Sequence, residues 1–150
     1  MTKKGKILTG ALFLITLLWT AFVFSRSMQS GAESSEMSGR LTAFLQSVFD
    51  GIPVSEYFIR KLAHFGEYLI LALPLTWALM LTKRRWLPAA AWGYAILVAL
   101  CDEFIVQALT AGRGPRFTDV LIDSAGALTG VLGVICLSLL VRRCRMGRRQ

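Results

Sequence analysis

Four long apolar blocks alternate with short polar stretches along most of the chain. The blocks cover residues 7–24, 59–81, 87–109 and 118–141. At about 1.5 Å per residue, a helix formed by each block is long enough to cross a hydrocarbon core of about 30 Å. The pattern therefore predicts an all-α fold, an integral membrane bundle of four transmembrane helices.

The first block differs from the others because it follows a cluster of lysines at positions 3, 4 and 6. A cleavable signal peptide has an apolar region of about 7 to 15 residues and ends in small residues. This block is longer and ends in Phe22, Val23 and Phe24. We therefore favour an N-terminal signal anchor helix over residues 1–24 above a cleaved signal peptide.

The one long segment outside the blocks covers residues 25–58. It is rich in serine, glycine and glutamate over residues 30–39 and then places apolar side chains at helical spacing. These side chains are Leu41, Phe44, Leu45, Val48 and Phe49. One face of a helix has this spacing, so we predict a short amphipathic helix in the outer membrane interface, ended by Gly51 and Pro53.

Composition and charge favour a single membrane domain over residues 1–150. The chain is 55% hydrophobic and 17% charged, with a mean hydropathy of +0.56, which excludes an ordinary soluble domain. The net charge is +8, and eleven of the 17 basic residues fall on the side of the termini. The positive-inside rule then makes both termini cytoplasmic, with residues 142–150 as a basic tail. Attraction to anionic lipid accounts for the charge, and no nucleic-acid partner is predicted.

The nine acidic residues lie in the outer segments or the outer halves of the predicted spans. Five of them are at membrane depth: Glu67, Asp102, Glu103, Asp119 and Asp123. On three helices, the rise per residue brings acids to a similar depth, about 7 to 12 Å below the outer ends. Charged groups at this depth are costly in contact with lipid, so we expect these side chains to face protein or a wet cavity and to mark a functional site.

Helical rotation places other polar groups beside these acids. His64 and Glu67 are at i, i+3 and can touch, and Glu103 and Gln107 are at i, i+4. Asp102 points about 100° away from Glu103, so these two acids are expected to face different neighbours. On the fourth span, Asp119 and Asp123 share a face with small residues that are expected to pack closely within the bundle: Gly126, Gly130 and Gly133.

We divide the candidate site residues into two sets. The candidate acid–base or binding cluster is His64, Glu67, Asp102, Glu103 and Asp119. The candidate substrate-binding residues are Lys61, Gln107, Arg113 and Asp123. Two interpretations of Arg113 stay open, neutralisation of the neighbouring aspartates or capture of a phosphate or carboxylate headgroup. Arg60 and Arg116 are interpreted as interfacial charges.

The candidate residues restrict the chemistry. No cysteine or serine with a neighbouring base lies at the depth of the acids, which argues against a hydrolase with an activated nucleophile. The sequence has neither a His-Glu-x-x-His zinc pair nor a Walker loop. One histidine with scattered acids is a weak metal signal, and ion pairing with Lys61 and Arg113 explains the acids, so no metal or cofactor is predicted. General acid–base chemistry is compatible with these residues, and the sequence leaves open whether the protein is an enzyme.

Three separated motifs resemble the VanZ family in content and order. They comprise Lys61, Ala63, His64, Phe65, Glu67 and Tyr68, then Asp102, Glu103 and Gln107, then Gly112, Arg113, Asp119, Asp123, Gly126 and Gly130. The motifs cover residues 60–133, about half of the chain. Ala111 departs from the proline of many members, and Asp123 departs from their asparagine. The resemblance implies a small bacterial inner-membrane protein, from a family of which one branch confers low-level resistance to the glycopeptide teicoplanin.

Together these observations predict an outward-facing pocket of His, Glu, Asp and Arg side chains. The pocket would bind or process a cell-envelope molecule that is lipid-linked or an anionic lipid, and the bilayer is the predicted partner. Two rival classes are a small proton-coupled transporter and a structural membrane partner without catalysis. A transporter would need polar residues that continue into the cytoplasmic half of the spans, and the sequence places none there. A structural role would predict that the acids tolerate substitution.

Overall fold

The protein is described by a computed structural model that covers residues 2–48, 55–82 and 87–147. Its helices are α1 (Lys3–Ser27), α2 (Gly31–Val48), α3 (Glu56–Leu81), α4 (Leu87–Cys101) and α5 (Phe117–Gly147). A π-helical turn, Asp102–Val106, and a 3-10 turn, Gln107–Leu109, continue α4. Four stretches are long and apolar enough to span a membrane: α1, α3, Leu87–Leu109 and most of α5. The predicted all-helical fold with four membrane spans is confirmed.

The contact between α3 and α5 is the centre of the bundle. A methyl group added to Gly126 would overlap the backbone carbonyl of Phe65, and one added to Gly130 would overlap that of Leu69. These two glycines therefore let the helix backbones approach closely, as is common between helices in lipid. Gly133, which we expected in the same contact, faces open space and is not needed for it.

The remaining spans pack around this pair. α1 packs against α3, and α4 packs against both α3 and α5. The indole Nε1 of Trp19 donates a 2.8 Å hydrogen bond to the backbone carbonyl of Glu67, and the hydroxyls of Thr20 and Tyr94 lie 3.0 Å apart. These polar contacts fix the rotation of α1 against its neighbours. The outer faces carry large exposed apolar side chains, as expected for helices surrounded by lipid.

The helix in the first long loop is longer than its apolar pattern predicted. α2 has 18 residues and begins at Gly31, so the stretch rich in serine, glycine and glutamate is helical. The reason is a capping box, in which the Ser30 backbone N–H donates to Glu33 Oε2 over 2.8 Å and the Glu33 N–H donates to Ser30 Oγ over 3.3 Å. The predicted end at Gly51 and Pro53 lies outside the described residues.

The start of α2 rests on the turn between the third and fourth spans. The Gly31 N–H donates a 3.0 Å hydrogen bond to the carbonyl of Ala111. A side chain on Gly31 would overlap the backbone of Gly112, which itself has a φ of 71°. Glycine is needed at both positions, at the first for close approach and at the second for its left-handed backbone. This contact holds the loop helix beside the turn that carries Arg113.

The predicted basic tail over residues 142–150 begins as a continuation of α5. α5 continues through Arg142 and Arg143 to Gly147, so the first part of residues 142–150 is helical. No proline or glycine interrupts the sequence after the fourth apolar block until Gly147, and nothing local ends the helix sooner. Residues 83–85 and 148–149, which contribute to the predicted charge asymmetry, lie outside the described part of the chain.

Candidate functional site

A polar cavity of about 70 Å³ lies at the end of the bundle where α3 and α5 begin. It is lined by Arg60, Lys61, His64, Gln107, Gly112, Arg113, Gly114, Arg116 and Asp119. The first turns of α3 and α5, the end of the third span and the turn over residues 110–116 each contribute to this lining. The fold therefore gathers the three sequence motifs around one small space.

A second, larger cavity of about 320 Å³ lies between the opposite ends of α3 and α5. Its lining is apolar except for Ser138 and Arg142, and none of the predicted site residues lines it. Size alone does not identify a site, because a few convergent polar groups are also needed. We therefore place the candidate site at the polar cavity.

Lys61 and Asp119 form an ion pair between α3 and α5, with Lys61 Nζ against Asp119 Oδ1. The two side chains are only 11% and 9% exposed. The first turn of α5 holds Asp119 in place, since its N–H donates a 2.9 Å hydrogen bond to the carbonyl of Arg116. The interpretation in which Arg113 neutralises Asp119 is not supported, because Lys61 takes that position.

His64 faces α5 and is only 9% exposed. Its Nδ1 lies 3.3 Å from Asp123 Oδ1, an ion-pair contact without hydrogen-bond geometry. The carboxylate of Asp123 is fully buried, and neither of its oxygens has a hydrogen-bond partner among the described residues. We expected Glu67 as the neighbour of His64, but the close approach at Gly126 brings Asp123 within reach of the ring.

Asp102 and Glu103 begin the π-helical turn and are both fully buried. Ser27 Oγ of α1 donates a 2.8 Å hydrogen bond to Asp102 Oδ2, and the Arg116 N–H donates a 3.0 Å hydrogen bond to Glu103 Oε2. The two acids thus face different neighbours. Gln107 Nε2 joins them, since it donates to Asp102 Oδ2 over 3.0 Å and also to Glu103 Oε1. A π-turn closes i→i+5, which places Gln107 over Asp102.

Arg113 projects from the turn over residues 110–116 and is half-buried. Its Nη1 donates a 3.3 Å hydrogen bond to Gln107 Oε1, and no carboxylate lies within ion-pair distance among the described residues. Burial lowers the pKa of Arg113 and outweighs the opposing attraction of Asp102 and Glu103. Because arginine keeps its charge in proteins, the side chain is a partly desolvated cation with no carboxylate in direct ion-pair contact among the described residues.

Three candidate side chains from three different elements come close together: His64, Glu103 and Asp119. One potential ligand atom from each lies within 4.8 Å of those of the other two, and all three side chains are buried. An imidazole between two carboxylates can exchange protons with a bound molecule or contribute to cation binding.

The structure thus gathers most, but not all, of the predicted site residues. The candidates that line the cavity are Lys61, His64, Gln107, Arg113 and Asp119. Those behind the lining and in contact with it are Asp102, Glu103 and Asp123. Glu67 is half-buried and does not line the cavity. The catalytic and binding roles of these residues stay predictions.

Sequence reasoning missed three contributors to the site. Ser27 donates a hydrogen bond to Asp102. The feature of the sequence that could have indicated this residue is its position, as a small polar residue shortly after the first apolar block. Arg60, interpreted as an interfacial charge, lines the cavity. Arg116 contributes its backbone N–H to Glu103, and no sequence pattern predicts such a backbone contact.

The lining favours binding or proton transfer over nucleophilic attack by the protein. None of the side chains that line the cavity is a serine, threonine or cysteine; the Thr118 hydroxyl, which donates a 3.3 Å hydrogen bond to Asp119 Oδ1, is not part of the lining. An activated nucleophile would need one of these groups, or a comparable one, beside a base. His64 and the carboxylates have the groups required for acid–base chemistry.

Comparisons with known proteins agree with the motifs. The VanZ/LLP1 family model matches residues 12–140. Two curated relatives, Casparian strip membrane protein 2 from Oryza sativa subsp. indica and subsp. japonica, are each 26% identical over 138 residues. The match covers 89% of this chain and 56% of theirs, so the chain spans about half the length of the curated relatives it matches. No solved structure matches the chain. Since the family model covers most of its length, the protein belongs to the VanZ/LLP1 family.

Proposed function

We propose that the polar cavity binds the anionic headgroup of a cell-envelope lipid or lipid-linked molecule. The observation that carries this proposal is Arg113, whose guanidinium is partly buried and donates its one side-chain hydrogen bond among the described residues to the neutral amide of Gln107. Removing a cation from water without a counter-charge is costly, and an anionic ligand would compensate it. Guanidinium also matches phosphate and carboxylate through two parallel hydrogen bonds.

The surroundings of Arg113 support an anion of small size. Arg60 and Arg116 line the same cavity, and no carboxylate lies within ion-pair distance of either in the described part of the chain. Gly112 and Gly114 flank Arg113, and the space beside Gly114 is open. A cavity of about 70 Å³ suits a headgroup and leaves the acyl chains in the bilayer.

His64 would act on the bound molecule if the protein processes it. Asp123 lies at Nδ1 of the ring, which leaves Nε2 as the nitrogen available on the cavity side. An imidazole oriented by a carboxylate can accept or donate a proton in this position. If the protein processes the bound molecule, His64→Gln should therefore stop turnover and retain headgroup binding. If the protein only binds the molecule, the same variant should leave its function unchanged.

We further propose that the cavity faces the outside of a bacterial inner membrane and that both termini are cytoplasmic. Four spans place the two termini on the same side. Basic residues at the start of α1 and the end of α5 favour the cytoplasmic side for both. The resemblance to a family with a teicoplanin-resistance branch supports an envelope role. Expression in a susceptible bacterium should then raise the teicoplanin concentration needed for inhibition, and Arg113→Gln should remove that increase.

Native mass spectrometry of the protein from mixed bilayers tests headgroup binding. After reconstitution in equal amounts of phosphatidylcholine and phosphatidylglycerol, the protein should retain the anionic lipid preferentially. Arg113→Gln should weaken this retention by about tenfold to a hundredfold, the usual effect of losing a hydrogen bond to a charged group.

Arg40→Gln is the matched control, because Arg40 is exposed on α2 and pairs with Glu36 away from the cavity. It should leave retention unchanged. Equal loss in both variants would mean that lipid is held by general surface charge and would contradict the proposal. Proton-dependent uptake of a solute into proteoliposomes would instead favour the transporter.

A further inference from the structure

We propose that His64, Glu103 and Asp119 form a binding site for a divalent transition-metal ion of the Zn²⁺ type. The inference goes beyond the proposed function and does not depend on it, since none of the three residues supplies the cationic headgroup contact. It overrides the expectation of no metal, because the sequence predicted a shared pocket but not that potential ligand atoms of these three side chains lie within 4.8 Å of one another.

The donor atoms suit such an ion. One imidazole with two carboxylates is a mixed nitrogen and oxygen set, which Zn²⁺ accepts, and three protein ligands leave an open position for a water or substrate. In a tetrahedral site with bonds of about 2.0 to 2.2 Å, ligand atoms lie about 3.3 to 3.6 Å apart. The present separations of up to 4.8 Å would close by small side-chain rotations.

The surroundings of His64 resemble an established arrangement of metal-bound histidines. A ligating histidine usually has an acceptor at its other ring nitrogen, a carboxylate, a backbone carbonyl or a water, which fixes the ring and strengthens it as a ligand. Asp123 lies 3.3 Å from Nδ1, is fully buried and has no hydrogen-bond partner among the described residues. It is a second, independent feature that points to the same site.

The carboxylate of Glu103 is also held in one orientation by hydrogen bonds, as expected of a metal ligand. Gln107 donates to one of its carboxylate oxygens and the Arg116 N–H donates to the other. A carboxylate has about four lone-pair positions, so these two hydrogen bonds orient it and leave capacity for a metal. Orienting contacts of this kind accompany metal ligands as regularly as the histidine–carboxylate contact does.

The charges around His64, Glu103 and Asp119 show which group competes with a metal ion for one of its ligands. The buried acids are Asp102, Glu103, Asp119 and Asp123, and the basic partners within ion-pair distance among the described residues are Lys61 and His64, of which only Lys61 carries a charge when His64 is a neutral metal ligand. A divalent cation would reduce this excess of negative charge. Lys61 on Asp119 competes with the ion for the same carboxylate, so removing its charge should strengthen metal binding.

Equilibrium dialysis of the purified full chain against buffered Zn²⁺, with metal measured by mass spectrometry, tests the site. The three exposed cysteines should first be changed to alanine, and the purification tag should contain no histidine, because these groups bind Zn²⁺ themselves. The expected result is one Zn²⁺ per chain. The same chain with Co²⁺ in place of Zn²⁺ should show the visible absorption of a tetrahedral Co²⁺ ion. This second measurement leaves His64, Glu103 and Asp119 unchanged.

Four variants at the cluster and one control outside it then distinguish a specific site from unspecific metal binding. His64→Ala and Glu103→Gln should weaken Zn²⁺ binding by more than about tenfold, and Asp123→Asn by about tenfold to a hundredfold. Lys61→Met should strengthen it. Glu36→Gln, an exposed acid outside the cluster, should change nothing. Helix content and monodispersity of each variant show that it is folded.

The proposal fails if neither the cysteine-free chain nor its Lys61→Met variant binds Zn²⁺. It also fails if folded His64→Ala binds as tightly as the parent, or if excess Mg²⁺ displaces the ion. Arg113→Gln should keep the metal and lose the lipid, so failure of the metal site and failure of the headgroup site are distinguishable.

Discussion

At the scale of single residues, the site depends on which cation neutralises which acid. Lys61 pairs with Asp119, whereas Arg113 contacts the neutral side chain of Gln107. Sequence position could not decide between the two cations, because the distance between α3 and the first turn of α5 is set by tertiary packing. Composition and depth did predict that these residues belong to one region, since charged groups inside a membrane must face protein or water.

The buried ion pair predicts a specific pattern of stability changes. Asp119→Asn leaves Lys61 charged and unpaired in a site where it is 11% exposed, which should lower the free energy of unfolding by about 3 to 5 kcal/mol. Lys61→Met combined with Asp119→Leu should recover most of this loss, because apolar side chains of similar size often replace a buried pair without cost. Thermal unfolding in detergent measures both changes.

Arg40→Met is the comparison for this cycle. Arg40 and Glu36 pair at the surface with exposures of 79% and 64%, so losing their contact should alter stability little. A double variant as unstable as Asp119→Asn would show that the pair has a further role that apolar side chains cannot replace.

At the scale of helices, the apolar blocks predicted each span to within a few residues. Length and hydropathy are sufficient for this, because a membrane span must satisfy its backbone within one helix. The π-turn at Asp102–Val106 was not predictable, since it is a backbone adjustment that no residue pattern requires. The start of α2 could have been predicted from Ser30 and Glu33, but the polar stretch that follows them masked the capping box.

The contact between α3 and α5 offers a matched pair of glycine variants. Gly126→Ala should destabilise the protein by about 1 to 3 kcal/mol, because the added methyl group meets the backbone of Phe65. Gly133→Ala has open space and should be neutral or stabilise by up to about 1 kcal/mol through helix propensity. Thermal unfolding of the two variants side by side is the measurement. Equal effects would contradict the close approach at Gly126.

The capping box of α2 gives a second helix-level prediction. Ser30→Ala should lower the stability of the first turn of α2 by about 1 kcal/mol and speed the hydrogen exchange of its amides. The control is Ser35→Ala, within the helix, which should have neither effect. Hydrogen bonds from the backbone and side chain of Ser30 lower the pKa of Glu33. The stabilisation is therefore present above the ordinary glutamate pKa and is lost as the pH falls through the lowered value. Undiminished protection of the α2 start in Ser30→Ala would rule out the cap.

At the scale of the whole molecule, orientation decides what the cavity can bind. Under the proposed topology, four spans would put both termini on one side of the membrane, and the basic residues at the start of α1 and the end of α5 favour the cytoplasmic side for them. The sequence predicted the gathering of the three motifs at one end because their depths agree. It could not predict the shape of the cavity, which depends on the turn over residues 110–116 and on the start of α2 that rests on it.

Cysteine labelling in intact cells tests the orientation. With Cys101 and Cys136 changed to alanine, Cys144 should resist a membrane-impermeant maleimide until the membrane is permeabilised. Ala111→Cys in a cysteine-free chain should react at once, because Ala111 is exposed on the turn beside the cavity. Labelling of Cys144 from outside would reverse the topology and move the cavity to the cytoplasmic side.

We propose that the polar cavity holds an anionic headgroup against Arg113. The most direct test of this proposal is photocrosslinking with phosphatidylglycerol that carries a photoreactive group on the headgroup, followed by peptide mapping. Crosslinks are expected within residues 107–119. Unlabelled phosphatidylglycerol should compete them away, Arg113→Gln should remove them, and Arg40→Gln should retain them. Crosslinks confined to the basic ends of α1 and α5, unchanged by Arg113→Gln, would contradict the proposal.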